Sequence, residues 1–253
     1  MKYFVLILVT FSLFYCSGNK PTPEWTAKDY YHAAKEKYDD ESYFEAVNDF
    51  TVVLLRFAGS SVADSAQYYM ADSHYEMGDY LIGAVEFEKL INDMNRSPLV
   101  PQAQLRLAQC YYELSPRAAL DQEYTEKAIK EYQYFIEENP THPKKEQAEK
   151  RINELRNKLA EKEYNNAEIY RKMKEFDAAI IYYDQVLTKY YDTEWADDAL
   201  LGKIHTLIET ENFDQAQLEI SKFEQQFPSS ELMENLKEYK TQLSQIEDEI
   251  VHE

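Results

Sequence analysis

The sequence predicts an all-α protein, a superhelical stack of about five helical hairpins. Similar blocks of small, apolar and aromatic residues recur at an interval of 37 residues. Each block is followed, after a short break, by a second segment with helical periodicity and a small residue near its start. The 253 residues include only five glycines, which disfavours β-hairpins and phosphate-binding loops, because both depend on glycine at their turns.

The repeat is clearest in three blocks that align as YYHAAKEKY (30–38), QYYMADSHY (67–75) and QLRLAQCYY (104–112). An alanine and a tyrosine recur in register within them: Ala34, Ala71 and Ala108, then Tyr38, Tyr75 and Tyr112. The segments that follow carry alanines near their starts: Ala46, Ala84 and Ala128. An alanine at the closest approach of two antiparallel helices lets their backbones meet. Because one hairpin cannot bury its apolar stripe alone, stacking must supply the core.

The pattern returns over residues 165–187 and, more weakly, over 200–220, where Ala179 and Ala216 are again 37 residues apart. Pro140 and Pro228 stand at the ends of hairpins. This arrangement resembles the tetratricopeptide repeat, whose hairpin has a small residue and a tyrosine in its first helix, an alanine in its second and a final proline. Tyr191 departs from it, since such repeats often have proline there. The resemblance implies that the first helices line a concave face.

Two departures from a regular array divide the chain. The insertion SPRAALDQEY (115–124) separates the two helices of the third hairpin. A linking helix over 144–163, with an apolar stripe at Ala148, Ile152, Leu155 and Leu159, separates three hairpins from two. The predicted segments are a signal peptide (1–15), a lipidated flexible tether (16–25), N-terminal repeats (26–143), the linking helix (144–163), C-terminal repeats (164–230) and a C-terminal helix with an acidic tail (231–253).

The linking helix is unusually basic for such an acidic chain. We interpret this face as solvated side chains paired with glutamates of the same helix; the alternative is a separate basic surface. The basic residues are Lys144, Lys145, Lys150, Arg151, Arg156 and Lys158, and the glutamates are Glu146, Glu149, Glu154 and Glu161.

The first residues indicate export and a lipid anchor. Lys2 precedes an apolar run over 3–15, which is too short for a membrane span of roughly 20 residues and has the length of a signal-peptide core. Cys16 follows at once, where a bacterial lipoprotein signal places its acylated cysteine. Tyr15 departs from the small residue usual before that cysteine, so an ordinary signal with an incidental Cys16 is the alternative. Lipidation of Cys16 leaves Cys110 as a small buried hydrophobe without a disulfide partner.

Composition argues against several function classes. The formal net charge is −20, which disfavours nucleic-acid binding because phosphate contacts need clustered Lys and Arg. The five histidines are scattered without a metal-ligand spacing, and no GxSxG or Walker-type loop is present. We therefore expect no enzymatic activity, no metal and no cofactor other than the covalent lipid on Cys16.

A peptide-binding groove is the candidate site. Residues on either side of the repeated alanine of each first helix would lie on the concave face. There the repeated tyrosines would form a ladder of apolar rings, each with a hydroxyl at its tip. The alternative is that these tyrosines only pack between helices. The candidate residues are Tyr31, Lys35, Tyr38, Tyr68, Asp72, Tyr75, Glu76, Gln109, Tyr112 and Glu113.

Several motifs in order give a more specific resemblance: a cysteine after the signal run, three repeats, SPR…LDQ.YT, NPTHP, LAEKEY and K.YYDT. In this order the chain resembles the YfiO/ComL (BamD) family of outer-membrane lipoproteins, part of the β-barrel assembly machinery. The resemblance implies an outer-membrane protein facing the periplasm, whose N-terminal groove receives the C-terminal targeting segment of unfolded barrel proteins. It also implies that the C-terminal repeats dock the POTRA domains of a BamA-like protein.

Two alternatives to that function remain open. One is a generic lipid-anchored repeat scaffold for another cell-envelope complex. The other is a glycan-binding lipoprotein, which we would expect to be larger and richer in tryptophan than a chain with only Trp25 and Trp195.

Overall fold

The computed structural model describes residues 24–252, with side chains through residue 246; the signal run, Cys16 and most of the tether lie outside this range. The described part contains eleven α-helices and no strand. In chain order they are α1 (Ala27–Asp39), α2 (Tyr43–Arg56), α3 (Ala63–Glu76), α4 (Tyr80–Asp93), α5 (Val100–Leu114), α6 (Glu123–Glu138), α7 (Lys145–Lys172), α8 (Phe176–Lys189), α9 (Ala196–Glu209), α10 (Phe213–Gln226) and α11 (Met233–His252). None of these helices is long and apolar enough to cross a membrane.

Consecutive helices pair into five hairpins, which confirms the predicted fold class. The hairpins are α1–α2, α3–α4, α5–α6, the second half of α7 with α8, and α9–α10. First helices contact the first helices of the neighbouring hairpins, whereas no two second helices of the described chain contact each other. The stack therefore curves toward the first helices, which line its concave face.

Small residues lie where the two helices of most hairpins approach most closely; in the first helix of the fifth hairpin, α9, the equivalent position holds Ile204. Ala34, Ala71 and Ala167 are fully buried, and each precedes a small residue of the second helix by twelve positions. In the second hairpin that residue is Gly83, one position before the alanine aligned from the sequence. A Cβ on Gly83 would lie 3.3 Å from the backbone oxygen of Ala71, so this approach is close even for a methyl group.

The turns inside four hairpins use the same backbone device. Glu41, Gly78, Lys174 and Glu211 each have a positive φ, between 59° and 82°. This left-handed residue reverses the chain between the first and second helices. Only Gly78 is of the residue type that adopts the conformation without steric cost.

Helix α7 is continuous from Lys145 to Lys172. The helix is therefore unbroken at residue 163, where the sequence analysis ended the linking helix. Its first half packs on α6 as the first helix of a fourth hairpin would, and Ala148 is fully buried there. Its second half pairs with α8. The last helix, α11, packs on α9 and α10 as the unpaired first helix of a sixth hairpin. The hairpins thus form an N-terminal stack, from α1 to the first half of α7, and a C-terminal stack, from the second half of α7 to α11. Each stack ends in one unpaired helix segment, and α7 belongs to both.

The insertion is fastened to this long helix. Gln122 is buried and its Nε2 donates to three carbonyl oxygens of the insertion at 3.0–3.2 Å. From α7, Lys158 Nζ donates to Ser115 Oγ at 2.8 Å and Lys162 Nζ to the oxygen of Leu120 at 2.7 Å.

The interpretation of the basic face as pairs within the helix holds only in part. Lys145 and Lys150 pair with Glu149 and Glu154 as expected. In contrast, Arg156 bonds Asp192 at 2.5 Å in the loop before α9, and Lys158 reaches the insertion. These side chains therefore join α7 to its neighbours.

Candidate peptide-binding groove

The tyrosine ladder lies on the concave face, on α1, α3 and α5. The rings of Tyr38, Tyr75 and Tyr112 are half-buried, because each packs against the first helix of the next hairpin while one edge faces the groove. The ladder is therefore part of the packing between hairpins as well as part of the surface.

The first step of the ladder joins α1 to α3. The hydroxyl of Tyr38 donates to Asp72 Oδ2 at 2.5 Å, and the Tyr38 ring meets Tyr69 edge-on with centroids 5.0 Å apart. Asp72 is only 3% exposed. Burial, and then the hydrogen bond to this carboxylate, raise the pKa of Tyr38, so the phenol stays protonated and donates.

Arg106 of α5 is the centre of the groove. Its Nε lies 2.7 Å from Asp72 Oδ1, and its Nη2 donates to Asp72 Oδ2 at 3.2 Å. The contact at Oδ1 is an ion pair without hydrogen-bond geometry. Nη2 also donates to Glu76 at 3.0 Å. Burial raises the pKa of Asp72, and the Arg106 charge opposes that rise. One guanidinium thus compensates two carboxylates on the neighbouring helix.

The same guanidinium lies over the ring of Tyr75, 4.4 Å from its centroid, and its charge opposes the rise in the pKa of Tyr68. Burial raises the pKa of both phenols to about 12. Cations over an aromatic face are held by the ring quadrupole, with about 0.5–2 kcal/mol depending on desolvation. Both phenols are therefore neutral donors at neutral pH.

The last step repeats this arrangement between α5 and α7. Arg151 lies 4.4 Å from the centroid of Tyr112, the same distance as Arg106 from Tyr75. The Tyr112 hydroxyl donates to Glu154 at 2.8 Å and accepts from Arg151 at 2.7 Å. The two arginines occupy equivalent repeat positions, because α7 follows α6 as α5 follows α4.

The remaining predicted residues are less uniform. Tyr31 packs between Phe50 and Tyr69, with centroids 6.0 and 6.5 Å away. Lys35 lies 4.6 Å from the centroid of Tyr69. Gln109 accepts from Arg106 at 3.4 Å, and Glu113 is exposed on the same helix as Gln109. The structure therefore brings most of the predicted residues together around Arg106.

Sequence reasoning missed four members of this cluster: Tyr69, Arg106, Arg151 and Glu154. A signal was present, because each ladder tyrosine is followed 31 residues later by the residue that packs on its ring: Tyr38 by Tyr69, and Tyr75 by Arg106. In the third repeat the insertion lengthens this interval to 39 residues, which hid Arg151.

The groove offers aromatic edges, hydroxyls and both signs of charge, which is suited to binding an extended peptide. Within residues 24–246, no group of three or more His, Cys, Asp or Glu side chains is placed to hold a metal ion. The buried thiol of Cys110 has a pKa raised to about 12 by burial, so it is not an activated nucleophile.

Comparison with known proteins gives a family match over most of the chain. The family model described as YfiO, an outer membrane lipoprotein, matches residues 23–208. No curated protein matches the sequence. Among solved structures the chain is similar to the TPR2AB domain of yeast Sti1 in a complex with pHSP90, with 15% identity, a TM-score of 0.43 and coverage of 80% of this chain and 78% of that one. It is also similar to a tetratricopeptide repeat protein from Parabacteroides merdae, with 13% identity, a TM-score of 0.40 and coverage of 88% and 87%.

The match spans all three N-terminal hairpins, the insertion, α7 and α8, and extends into α9. It therefore includes the whole groove around Arg106. By this match the chain belongs to the YfiO family of outer-membrane lipoproteins, built on tetratricopeptide-type helical repeats.

Proposed function

We propose that this lipoprotein is a component of the outer-membrane β-barrel assembly machinery. In this proposal the acyl chains on Cys16 hold it to the outer membrane, and its repeats face the periplasm. The N-terminal groove binds the C-terminal segments of unfolded barrel proteins. The C-terminal repeats dock the periplasmic POTRA domains of a BamA-like protein.

The observation that carries the client-binding part is the row of half-buried aromatic rings around Arg106. A client side chain that packs on a ring edge gains area burial plus roughly 0.5–1.5 kcal/mol for an aromatic pair. The exposed carboxylate of Glu76 and the partly exposed guanidinium of Arg106, with 24% of its side chain accessible, can bond the peptide backbone. Because the hydroxyl of Tyr38 already binds Asp72, we assign recognition to the rings and not to this hydroxyl.

Exposed apolar residues on the second helices support docking through the C-terminal repeats. Ile181 of α8 and Leu218 of α10 are 58% and 54% exposed and occupy the same repeat position, 37 residues apart. Tyr191, in the loop between α8 and α9, is 66% exposed. Apolar side chains in a row on an otherwise charged surface are typical of protein interfaces.

A peptide titration tests the client groove. The probe is a synthetic peptide copied from the last ten residues of an outer-membrane barrel protein of the same organism. We expect Tyr75→Ala to weaken binding by about 2 kcal/mol, roughly 30-fold, if the ring is a central anchor. Tyr134→Ala is the matched control, because Tyr134 is 44% exposed on the second helix α6, away from the groove. Equal affinity for wild type and Tyr75→Ala, or an equal loss in both variants, would refute the groove assignment.

Co-purification tests the assembly role separately. The full-length, lipidated chain is tagged and extracted with mild detergent from its native membrane. We expect a β-barrel protein with POTRA domains to be recovered in stoichiometric amount, and the double variant Ile181→Asp with Leu218→Asp to lose it. Recovery of a different envelope complex would favour the generic scaffold, even if the groove bound barrel peptides.

A further inference from the structure

One face of the fourth hairpin is uncovered where the other internal hairpins are covered. Two positions after the core residue where the first helix meets its second helix (Ala71, Ala108 and Ile204), the side chains of Ser73, Cys110 and Thr206 are 0% exposed, because the second helix of the preceding hairpin lies over them. The contact with α4 is direct at Cys110, whose Sγ is 3.4 Å from the Cβ position of Gly83.

The equivalent residue of the fourth hairpin is Ile169, and it is 55% exposed. Met173, four residues later at the C-cap of α7, is 62% exposed. The cause is the length of α7: its first half packs under α6, so within the described chain the second half contacts its own second helix, α8, but no second helix of a preceding hairpin. The continuous helix thus creates a hairpin face without its neighbour.

The first described hairpin has an outer face with no preceding hairpin in the described chain, and that face has a different composition. The positions equivalent to Ile169 and Met173 are Glu36 of α1 and Asp40, the residue that caps the C-terminus of α1, and both are exposed. Terminal hairpins of helical arrays carry a polar outer face because nothing stacks on them. The face on α7 has apolar residues instead, which is the composition of a covered position.

The apolar face continues onto α8 and is bordered by basic residues. Tyr170 stacks on Tyr182 of α8, with centroids 5.2 Å apart and planes inclined by 10°. Toward the N-terminal end of the same stripe of α7, Lys158 and Lys162 donate to uncharged oxygens of the insertion. Their positive charges are therefore not compensated by those contacts.

We infer that an amphipathic α-helix of a partner protein packs against Ile169, Tyr170 and Met173, in the place of the missing second helix. The geometry of the other hairpins specifies this occupant. It runs antiparallel to the second half of α7, spans about 10–14 residues, and carries small or apolar side chains at spacings of three and four. Acidic residues at one end of this helix would complement Lys158 and Lys162. This surface is distinct from the tyrosine groove and does not depend on the proposed client binding.

Site-specific photocrosslinking in the native host tests the inference. The photoreactive analogue p-benzoylphenylalanine replaces Met173 in the full-length chain, and in a matched control replaces Glu36, the polar residue of the equivalent face on α1. We expect the probe at 173 to crosslink to one segment of another polypeptide with apolar residues at helical spacing. The probe at 36 should not capture that segment.

The double variant Ile169→Asp with Met173→Asp should then bind a synthetic copy of that segment at least tenfold more weakly. Its melting temperature and its affinity for the barrel peptide should be unchanged, because both side chains are exposed. No crosslink at 173, a crosslink to this chain or a second copy of it, or a captured segment without helical spacing would each overturn the inference. A loss of barrel-peptide binding alone would contradict the proposed function and leave this inference intact.

Discussion

The ion pair between Arg106 and Asp72 makes a quantitative prediction about what holds the first three hairpins together. Arg106→Met keeps most of the apolar length of the side chain and removes its charge. Asp72, 3% exposed, would then keep the hydroxyl of Tyr38 as a donor and lose its counter-charge. Removing one partner of a buried pair costs about 3–5 kcal/mol. Because the hydrogen bond from Tyr38 remains, we expect a loss of about 3 kcal/mol.

The loss should depend on pH in a defined direction. Burial already raises the pKa of Asp72, and Arg106 opposes the rise, so the pKa of Asp72 should rise further in Arg106→Met. A carboxyl with a higher pKa in the folded than in the unfolded chain binds protons more readily when folded. Its contribution to stability is present below the unfolded pKa and is lost as the pH rises through the folded value. The difference between the variant and wild type should therefore shrink on acidification.

Urea unfolding at pH 7.5 and pH 5 measures both effects. Arg96→Met is the control, because Arg96 lies exposed in the loop between α4 and α5, and it should change stability by less than about 0.5 kcal/mol. The double variant Arg106→Met with Asp72→Asn should recover most of the loss, since the buried charge is gone. A loss below 1 kcal/mol, no recovery in the double variant, or a wider difference at pH 5 would refute this account of the groove.

Three further predictions concern other parts of the chain. Gly202→Ala should destabilise by up to about 2 kcal/mol in a thermal melt, because its Cβ would lie 2.6 Å from a buried tyrosine ring and overpacking outweighs the gain in helix propensity; Gly59→Ala, with nothing within 4 Å, should be neutral, and equal melting of the two would contradict the clash. Lys203→Met should cost about 2 kcal/mol at neutral pH in a urea unfolding experiment, because Glu219, 2% exposed, would lose its buried partner and keep only the more exposed Lys222, 3.0 Å away. Burial would raise the pKa of Glu219, but hydrogen bonds from lysines hold it below its usual value in the folded protein. The difference in stability between wild type and Lys203→Met should therefore vanish as the pH falls through this lowered pKa. Cys16→Ala should release the protein from the membrane fraction, because each buried CH₂ of a lost acyl chain contributes about 0.8 kcal/mol to anchoring; retention after a salt wash, without a tight partner, would contradict the lipid anchor.

The features that could be predicted from the sequence are those that repeat. Ala34 and Ala71 mark the helix contacts because a small side chain recurs there in register, with Ile204 of the fifth hairpin as the exception. The concave position of Tyr38, Tyr75 and Tyr112 followed from the same register. The residues that surround these rings could not be predicted, because the partner of each ring lies on the next first helix. That partner position holds Tyr69 in one repeat and Arg106 and Arg151 in the other two.

The shared helix could not be predicted in the same way. A periodic apolar stripe identifies a helix, but it does not show whether two helices are separate or continuous, because no residue between 159 and 167 breaks the helical pattern. That continuity decides how the two stacks meet: α7 ends the first stack and begins the second, and the cover normally supplied by the preceding hairpin is lost. The exposed Ile169 is therefore a consequence of chain continuity rather than of local composition. Read from the sequence alone, Ile169 is an ordinary apolar residue of an amphipathic helix. Its equivalence to the buried Cys110 and Thr206 shows that a covering helix is missing. The polar Glu36 at the same position of the first described hairpin shows the composition that such a face has when it is exposed.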